Sequence, residues 1–318
     1  MRLRISNLFI LLTIISTVQF ASAQLRQVRP SQKASVMQTV GVTDVSITYS
    51  RPAVKGRPIF ADATTAMEAR ARGQQGTLDN QNERVKGEPI VPYGHIWRSG
   101  ANEATLFVVT DDVLINGQAL AAGKYSLHTI PGKDEWTIIF NKDDGQWGSF
   151  SYDAAKDALR VKTKPQWAAD NQELLEYSID PITENSATVN IRWEKARVPF
   201  TISVDVQKTY VLHARDAVAA AKSDDFRTPF QAANTAKLLK ADNDANKWFE
   251  QALKAADESI KAKETFQNLS AKANILMALG RKDDAVAAAD KAIERGKADN
   301  ADTAAFEKRF ADIKAGKM

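Results

Sequence analysis

The sequence predicts an α+β chain of two domains, an N-terminal antiparallel β-sandwich followed by a C-terminal α-helical repeat domain. Three observations predict it. Residue usage changes abruptly near Val206: five of the six Trp and nine of the ten Pro precede that point, and only Gly280, Gly296 and Gly316 of the fifteen Gly follow it. Before it, apolar and polar residues alternate with period two in one short segment after another, the signature of strands with one face in a core. After it, Ala-rich sequence almost free of Pro and Gly repeats small apolar residues at a spacing of forty, which reads as stacked helices. The domain boundary is expected between Val206 and Tyr210, giving a strand domain over 24–206 and a helical domain over 207–318.

The 318 residues carry 43 Lys and Arg against 39 Asp and Glu, a net charge of +4, with 44% hydrophobic and 26% charged residues. These are globular proportions and exclude a collagen-like fibre, a disordered acidic tail and a polytopic membrane protein. So small a basic excess gives no case for nucleic-acid binding, which needs a concentrated basic face. With no Cys, a thiol nucleophile, a thiolate metal site and a disulfide scaffold are excluded.

Taken in order, residues 1–23 read as a secretory signal peptide. Arg2 and Arg4 precede the apolar stretch Leu8 to Val18, and Ala21-Ser22-Ala23 is an A-x-A cleavage signature. The apolar run is too short to cross a bilayer core. The expectation is an exported protein, periplasmic or extracellular, with no membrane span after cleavage.

Strands follow at Val45, Ile47 and Tyr49, at Leu159 and Val161, at Val189, Ile191 and Trp193, and at Phe200, Ile202 and Val204. Asn116-Gly117, between Val113-Leu114-Ile115 and Leu120, is a hairpin signal because both turn positions need positive φ. Lys124 to Thr129 and Trp136 to Asn141 are further strands, punctuated by Pro131-Gly132 and Asp144-Gly145. No helical stretch separates them, so the sheets are antiparallel. Ala61 to Glu88 breaks the pattern with little apolar content and reads as a mobile insertion over 61–88.

In the helical part Ala233, Ala245, Phe249 and Ala252 recur as Ala273, Ala285, Ala289 and Ala292. Phe249, Leu253, Ala256 and Ile260 form one stripe, and Phe266, Leu269, Ala273 and Leu276 another. Ala301 to Lys314 reads as a capping helix. With Leu279-Gly280-Arg281 before Asp283-Asp284-Ala285, the segment resembles the tetratricopeptide class, although its period is forty rather than thirty-four and Lys240 stands where the second copy has Gly280. A generic helical bundle is the alternative.

Few motifs carry chemistry. His95, His128 and His213 have no spacing that suits a zinc site, so no metal and no cofactor is expected. Asp242-Asn243-Asp244-Ala245-Asn246 lacks the turn Gly and the terminal Glu of a calcium loop and reads as a helix-connecting loop. Nucleophile elbows, P-loops and dinucleotide turns are missing from the sequence.

One cluster stands out. Tyr49-Ser50-Arg51-Pro52, Lys55-Gly56-Arg57 and Val91 to Thr105 pack aromatic, Arg, Asn and Glu residues into loops rich in Pro and Gly. With Gly123-Lys124-Tyr125-Ser126-Leu127, Ile130-Pro131-Gly132, Glu135-Trp136-Thr137, Trp147-Gly148 and Tyr152-Asp153, these residues resemble the secreted bacterial domain-of-unknown-function family 2911 over Gln32 to Val206. The chain departs from that family's pattern at His95, where Lys is usual, at His128, where an aromatic is usual, and in the insertion. The resemblance implies an exported β domain and assigns no activity.

The candidate ligand-binding residues are Arg51, Arg57, Trp97, Arg98, Asn102, Glu103, Trp147 and Tyr152. The three Arg either pair with Glu103 and Asp153 internally or await an anionic or polyhydroxyl ligand. The aromatics either fill the core or stack on sugar or peptide. Two functions follow. The first is an envelope binding or assembly protein, its sandwich recognising a polar or anionic small ligand or a glycan and its helices holding a protein partner. The second is a hydrolase of envelope glycan or peptide, with Glu103 as general acid or base and His95 or Asp153 as its partner.

Overall fold

The computed structural model of the protein describes residues 28–73, 78–80 and 85–317. The expected signal segment 1–23 lies outside the described residues. An antiparallel β-rich region comes first and a helical region follows.

Two sheets make the β-rich region. The larger has the order β1 (Gln32–Val40), β2 (Thr43–Arg51), β5 (Thr105–Val109), β8 (Gly123–Ile130), β9 (Trp136–Asn141) and β10 (Asp157–Thr163). The smaller runs β11 (Gln166–Ile182), β12 (Ser186–Ser203), β6 (Val113–Ile115) and β7 (Gln118–Leu120). Every pairing within them is antiparallel, whereas the two-residue strands β3 (Phe60–Ala61) and β4 (Val91–Pro92) pair in parallel. The β6–β7 turn has Asn116 at φ 46° and Gly117 at φ 80°, the left-handed pair that the Asn-Gly signal demands.

Inward residues of both sheets share one core, in which Ile47, Phe107, Trp136, Phe140, Val189, Phe200 and Ile202 are buried. Val189 to Trp193 and Phe200 to Val204, read as separate segments in the sequence, belong to the single strand β12. Inward residues are odd-numbered up to Trp193 and even-numbered from Ala196, and Glu194 has φ 51°. An extra residue there flips the phase of alternation, which keeps an eighteen-residue strand facing one core. Its neighbour β11 pairs with it through three register shifts, at Trp167/Gln172, Gln172/Glu176 and Ile179/Ile182. Of the Trp, the core holds Trp97, Trp136 and Trp193, while Trp147 and Trp167 remain half exposed.

The insertion 61–88 is not uniformly solvated. Its described part contains helix α1 (Thr65–Gly73) and a 3-10 turn at Leu78–Asn80, and Met67 and Leu78 are buried. The low apolar content of the segment hides this, because two side chains in the right places are enough to seat it. Polar ties add to them: the Thr64 hydroxyl donates to Glu88, and His95 pairs with Glu68 at 2.7 Å.

Strand β12 ends at Ser203 and helix α2 (Val206–Ala220) begins at once, Asp205 accepting the Lys208 N–H as its N-cap. Gly41 lies against this junction at φ 60°, and a Cβ there would stand 2.5 Å from Val206 Cγ2, so both backbone and space require glycine. His213 of α2 pairs with Asp111, from the turn after β5, at 2.6 Å.

Five more helices follow: α3 (Arg227–Leu238), α4 (Asp242–Ala262), α5 (Phe266–Ala278), α6 (Lys282–Ala298) and α7 (Ala304–Lys314). All eight residues of the forty-residue recurrence are buried. The α3–α4 and α5–α6 turns place Lys240 at φ 60° and Gly280 at φ 75°, the left-handed stop of a helix C-terminus. The segment Asp242 to Asn246 is the first turn of α4 and not a connecting loop, as Asp242 and Asp244 suit the positive end of a helix dipole. Among the described residues no helix is long and apolar enough to cross a membrane.

Candidate functional site

The loop between β4 and β5 carries Trp97 through Glu103, and local geometry pins it before any functional side chain is considered. Trp97 and Thr129 exchange both backbone hydrogen bonds, at 2.8 and 2.9 Å, which staples the loop to β8. The Trp97 indole donates to the Gly100 carbonyl at 3.1 Å, and Tyr177 donates to Ser99 O at 2.8 Å. Ser99 and Asn102 hold φ 54° and 63°, uncommon for residues with a Cβ. Gly100 has no room for a side chain, since a Cβ would lie 2.8 Å from Thr105 Oγ1.

Arg98 emerges from this loop almost fully buried, and so does its partner Asp79 from the 3-10 turn of the insertion, with side-chain exposures of 11% and 7%. One carboxylate oxygen, Asp79 Oδ2, accepts from the Arg98 backbone N–H at 3.0 Å, Arg98 Nε at 2.9 Å and Ser149 Oγ at 2.7 Å. The remaining guanidinium nitrogens donate to the carbonyls of Asp79 at 2.7 Å and Asn102 at 2.8 Å. A planar fork with five donors serves such a divergent set; a lysine could not.

Behind Ser149 runs a chain of buried polar groups. Gln146 Nε2 donates to Ser126 Oγ at 3.3 Å, Ser126 lies 3.2 Å from His128 Nε2, and His128 Nδ1 lies 3.4 Å from Ser149 Oγ. Each hydroxyl has one proton to donate. Since Ser149 donates to Asp79, it accepts from His128 Nδ1–H, and Ser126 then donates to the neutral Nε2. His128 therefore faces Ser149 as a donor, the reverse of the arrangement in which an imidazole activates a serine.

Burial pushes the His128 ring down to about 4, against the pull of Asp79 and Asp157 and together with the repulsion of Arg98. Between its ordinary 6.5 and about 4 the unfolded chain binds a proton at this ring that the folded chain does not. Stability accordingly falls as pH falls through that window, by up to roughly 3 kcal/mol. Urea unfolding of wild type and His128→Phe at about pH 7 and about pH 4.5 checks this: the substitution should remove most of the difference. An equal pH dependence in both proteins would assign it to other groups.

Glu103 is bound differently from the expectation. Its carboxylate meets Arg29 at 2.6 Å and Lys33 at 4.0 Å, and the Arg29 guanidinium lies 5.3 Å above the Trp147 ring. Glu103 and Trp147 face each other in a one-residue β-bridge. Burial alone would raise the Glu103 carboxyl, but the Arg29 hydrogen bond, its own backbone and Lys33 outweigh it and hold it below the usual value. Oε2 is buried without a hydrogen-bond partner among the described residues.

Thus Arg98, Asn102, Glu103 and Trp147 come together; Arg51 and Arg57 work elsewhere. Arg51 donates to Leu175 O at 2.8 Å and lies 3.7 Å from Glu176, and Arg57 donates to the carbonyls of Ala53 and Val54. None of the three Arg pairs with Glu103 or Asp153. Asp153 instead caps the 3-10 turn Ala154–Lys156. Asn102 donates to Ser31 O. The Tyr152 hydroxyl donates to Asp157 at 2.8 Å, its ring 5.1 Å from His128, and burial and Asp157 raise its pKa. Trp97 is a core residue, stacked on Trp193 with centroids 5.6 Å apart.

Sequence reasoning missed Arg29, Asp79 and Ser149. Ser149 follows the Trp147-Gly148 pair already singled out, so proximity in sequence could have found it; nothing local marks Asp79. Among the described residues no group of three or more His, Asp or Glu is disposed to hold a metal ion.

Neither a curated protein nor a solved structure matches the chain. A family model matches residues 31–202, more than half of the chain, from the start of β1 to the end of β12. That span contains the staple at Trp97, the Arg98 fork and the buried relay behind it, and by it the chain belongs to the family described as protein of unknown function (DUF2911).

Proposed function

We propose that this is an exported envelope protein, periplasmic or extracellular, that binds and assembles rather than transforms. Its β-rich region serves as a sandwich module recognising a polar ligand near Arg98, Asn102, Glu103 and Trp147. Its helices serve as a tetratricopeptide-like module holding a protein partner. Support for the repeat comes from the eight buried recurring residues and from the starts of α4 at Asp242 and α6 at Lys282, forty positions apart.

One observation carries the reading. A cavity of about 390 Å³ lies open between α3, α5 and α7, with Phe230, Met277 and Ile313 as apolar lining and Asn234, Asn274 and Arg309 as polar lining. Asn234 and Asn274 are themselves forty residues apart. They stand on the first helices of the two helix pairs, and although Asn234 Nδ2 donates to Phe230 O and Asn274 Oδ1 accepts from Arg309, each amide keeps a further donor or acceptor for the backbone of an extended peptide segment. The hydrolase alternative gains no such support. A general acid needs a carboxyl held above its ordinary range, and the Glu103 carboxyl is held below.

A photo-crosslinking residue placed at Met277 in the intact exported chain, in its own cells, should give a discrete protein adduct. The same residue at exposed Lys254 of α4 should give none. Absence of the adduct at Met277, or identical adducts at both positions, would remove the partner-holding role.

A further inference from the structure

Resting on the reading of the β-rich end as a polar-ligand site, we propose that the Arg98 fork and Ser149 form a carboxylate-binding site in which Asp79 sits as a built-in competitor. Three donors converge on the single oxygen Oδ2 of Asp79, one of them cationic and one a backbone amide. A fourth, from the same guanidinium, takes the Asp79 carbonyl. This is the donor geometry of a carboxylate receptor: short, charge-assisted and directed by a planar fork.

The receptor does not depend on its occupant for its shape. Trp97 and Thr129 staple the loop to β8, and Arg98 is further held by the Asn102 carbonyl. Ser149 is buried and hydrogen-bonded to His128 from behind. Donors fixed by such independent contacts stay aimed when their acceptor leaves, so little ordering cost attends a replacement. Asp79, by contrast, is carried outside both sheets, on a three-residue 3-10 turn.

The rim indicates the kind of carboxylate. Trp147 and Phe150, on either side of Ser149 in the chain, are 50% and 56% exposed, among the most exposed large apolar residues described. An apolar or aromatic body attached to the carboxylate would cover them; a phosphate would not. The ligand class is therefore a monocarboxylate on an apolar body. The tether gives Asp79 a high effective concentration, so an external carboxylate must compete with it.

The test uses the full mature chain and follows thermal unfolding with acetate, phenylacetate, chloride and a neutral sugar as probes. Asp79→Ala should melt below wild type and be restored by acetate, and by phenylacetate at lower concentration, as mass action requires of a ligand for the folded state. Half-saturation in wild type should need at least about tenfold more of either carboxylate, since the tethered side chain competes. Asp79→Ala/Arg98→Met should not respond. Should Asp79→Ala not fold, Asp79→Asn keeps the shape without the charge and carries the same comparison. A folded single variant indifferent to carboxylates, equal stabilisation by chloride, or equal response of the double variant would each overturn the proposal. Stabilisation of wild type by the sugar alone would also overturn it while leaving the polar-ligand reading in place.

Discussion

Replacing Arg98 by Ala lowers the free energy of unfolding by about 3–5 kcal/mol, the cost of stranding one member of a buried ion pair. The Asp79 side chain is 7% exposed, so it cannot recover in water what it loses when the guanidinium goes. Ser149 and the backbone amide of residue 98 would remain as donors, both of them neutral. Arg98→Lys should restore less than half, because one ammonium cannot serve the Asp79 carboxylate, the Asp79 carbonyl and the Asn102 carbonyl at once. The midpoint of urea unfolding, at unchanged slope, measures both. A loss under about 1 kcal/mol for Arg98→Ala would mean that the pair behaves as a solvated one.

Trp193→Ala should cost a similar amount, about 3–5 kcal/mol. Its ring is 1% exposed, stacks on Trp97 at 5.6 Å and meets Phe60 edge-on at 5.9 Å. Removing it opens a cavity that Trp97 of the β4–β5 loop and Phe60 of β3 cannot both collapse into. Trp193→Phe should cost less than half as much. The indole Nε1 is buried with no hydrogen-bond partner among the described residues, and deleting an unpaired donor offsets about 1–3 kcal/mol of the lost packing. Phe as costly as Ala would instead indicate that the indole N–H is satisfied, for example by a bound water.

Much of this was legible in the sequence because it is local. Val45, Ile47 and Tyr49 read as one buried face and are one; Asn116-Gly117 reads as a hairpin and takes the required φ values. The forty-residue recurrence picked out eight buried residues without any structure. Trp97 and Arg98 were singled out, yet their surroundings were not readable. The partner of Arg98 lies 19 residues away in a stretch whose composition suggests solvent, and the partner of Glu103 lies 74 residues away at Arg29. Composition reports how much a segment can bury on average, whereas a single carboxylate in the right place is a property of the three-dimensional path. The phase flip in β12 was hidden for a related reason. Two runs of alternation separated by Glu194 to Pro199 look like two strands until their pairing with one neighbour is known.

The three register shifts of β11 bear on how the protein behaves in a crowd. This strand is the outer member of its sheet and seventeen residues long, a size that would template the addition of a foreign strand if it were flat. An incoming chain needs an uninterrupted row of donors and acceptors, and each bulge breaks the row and turns the rim aside. Newly made copies folding side by side thus meet a border that refuses to zip, and the longest seam of the molecule stays closed to its own kind.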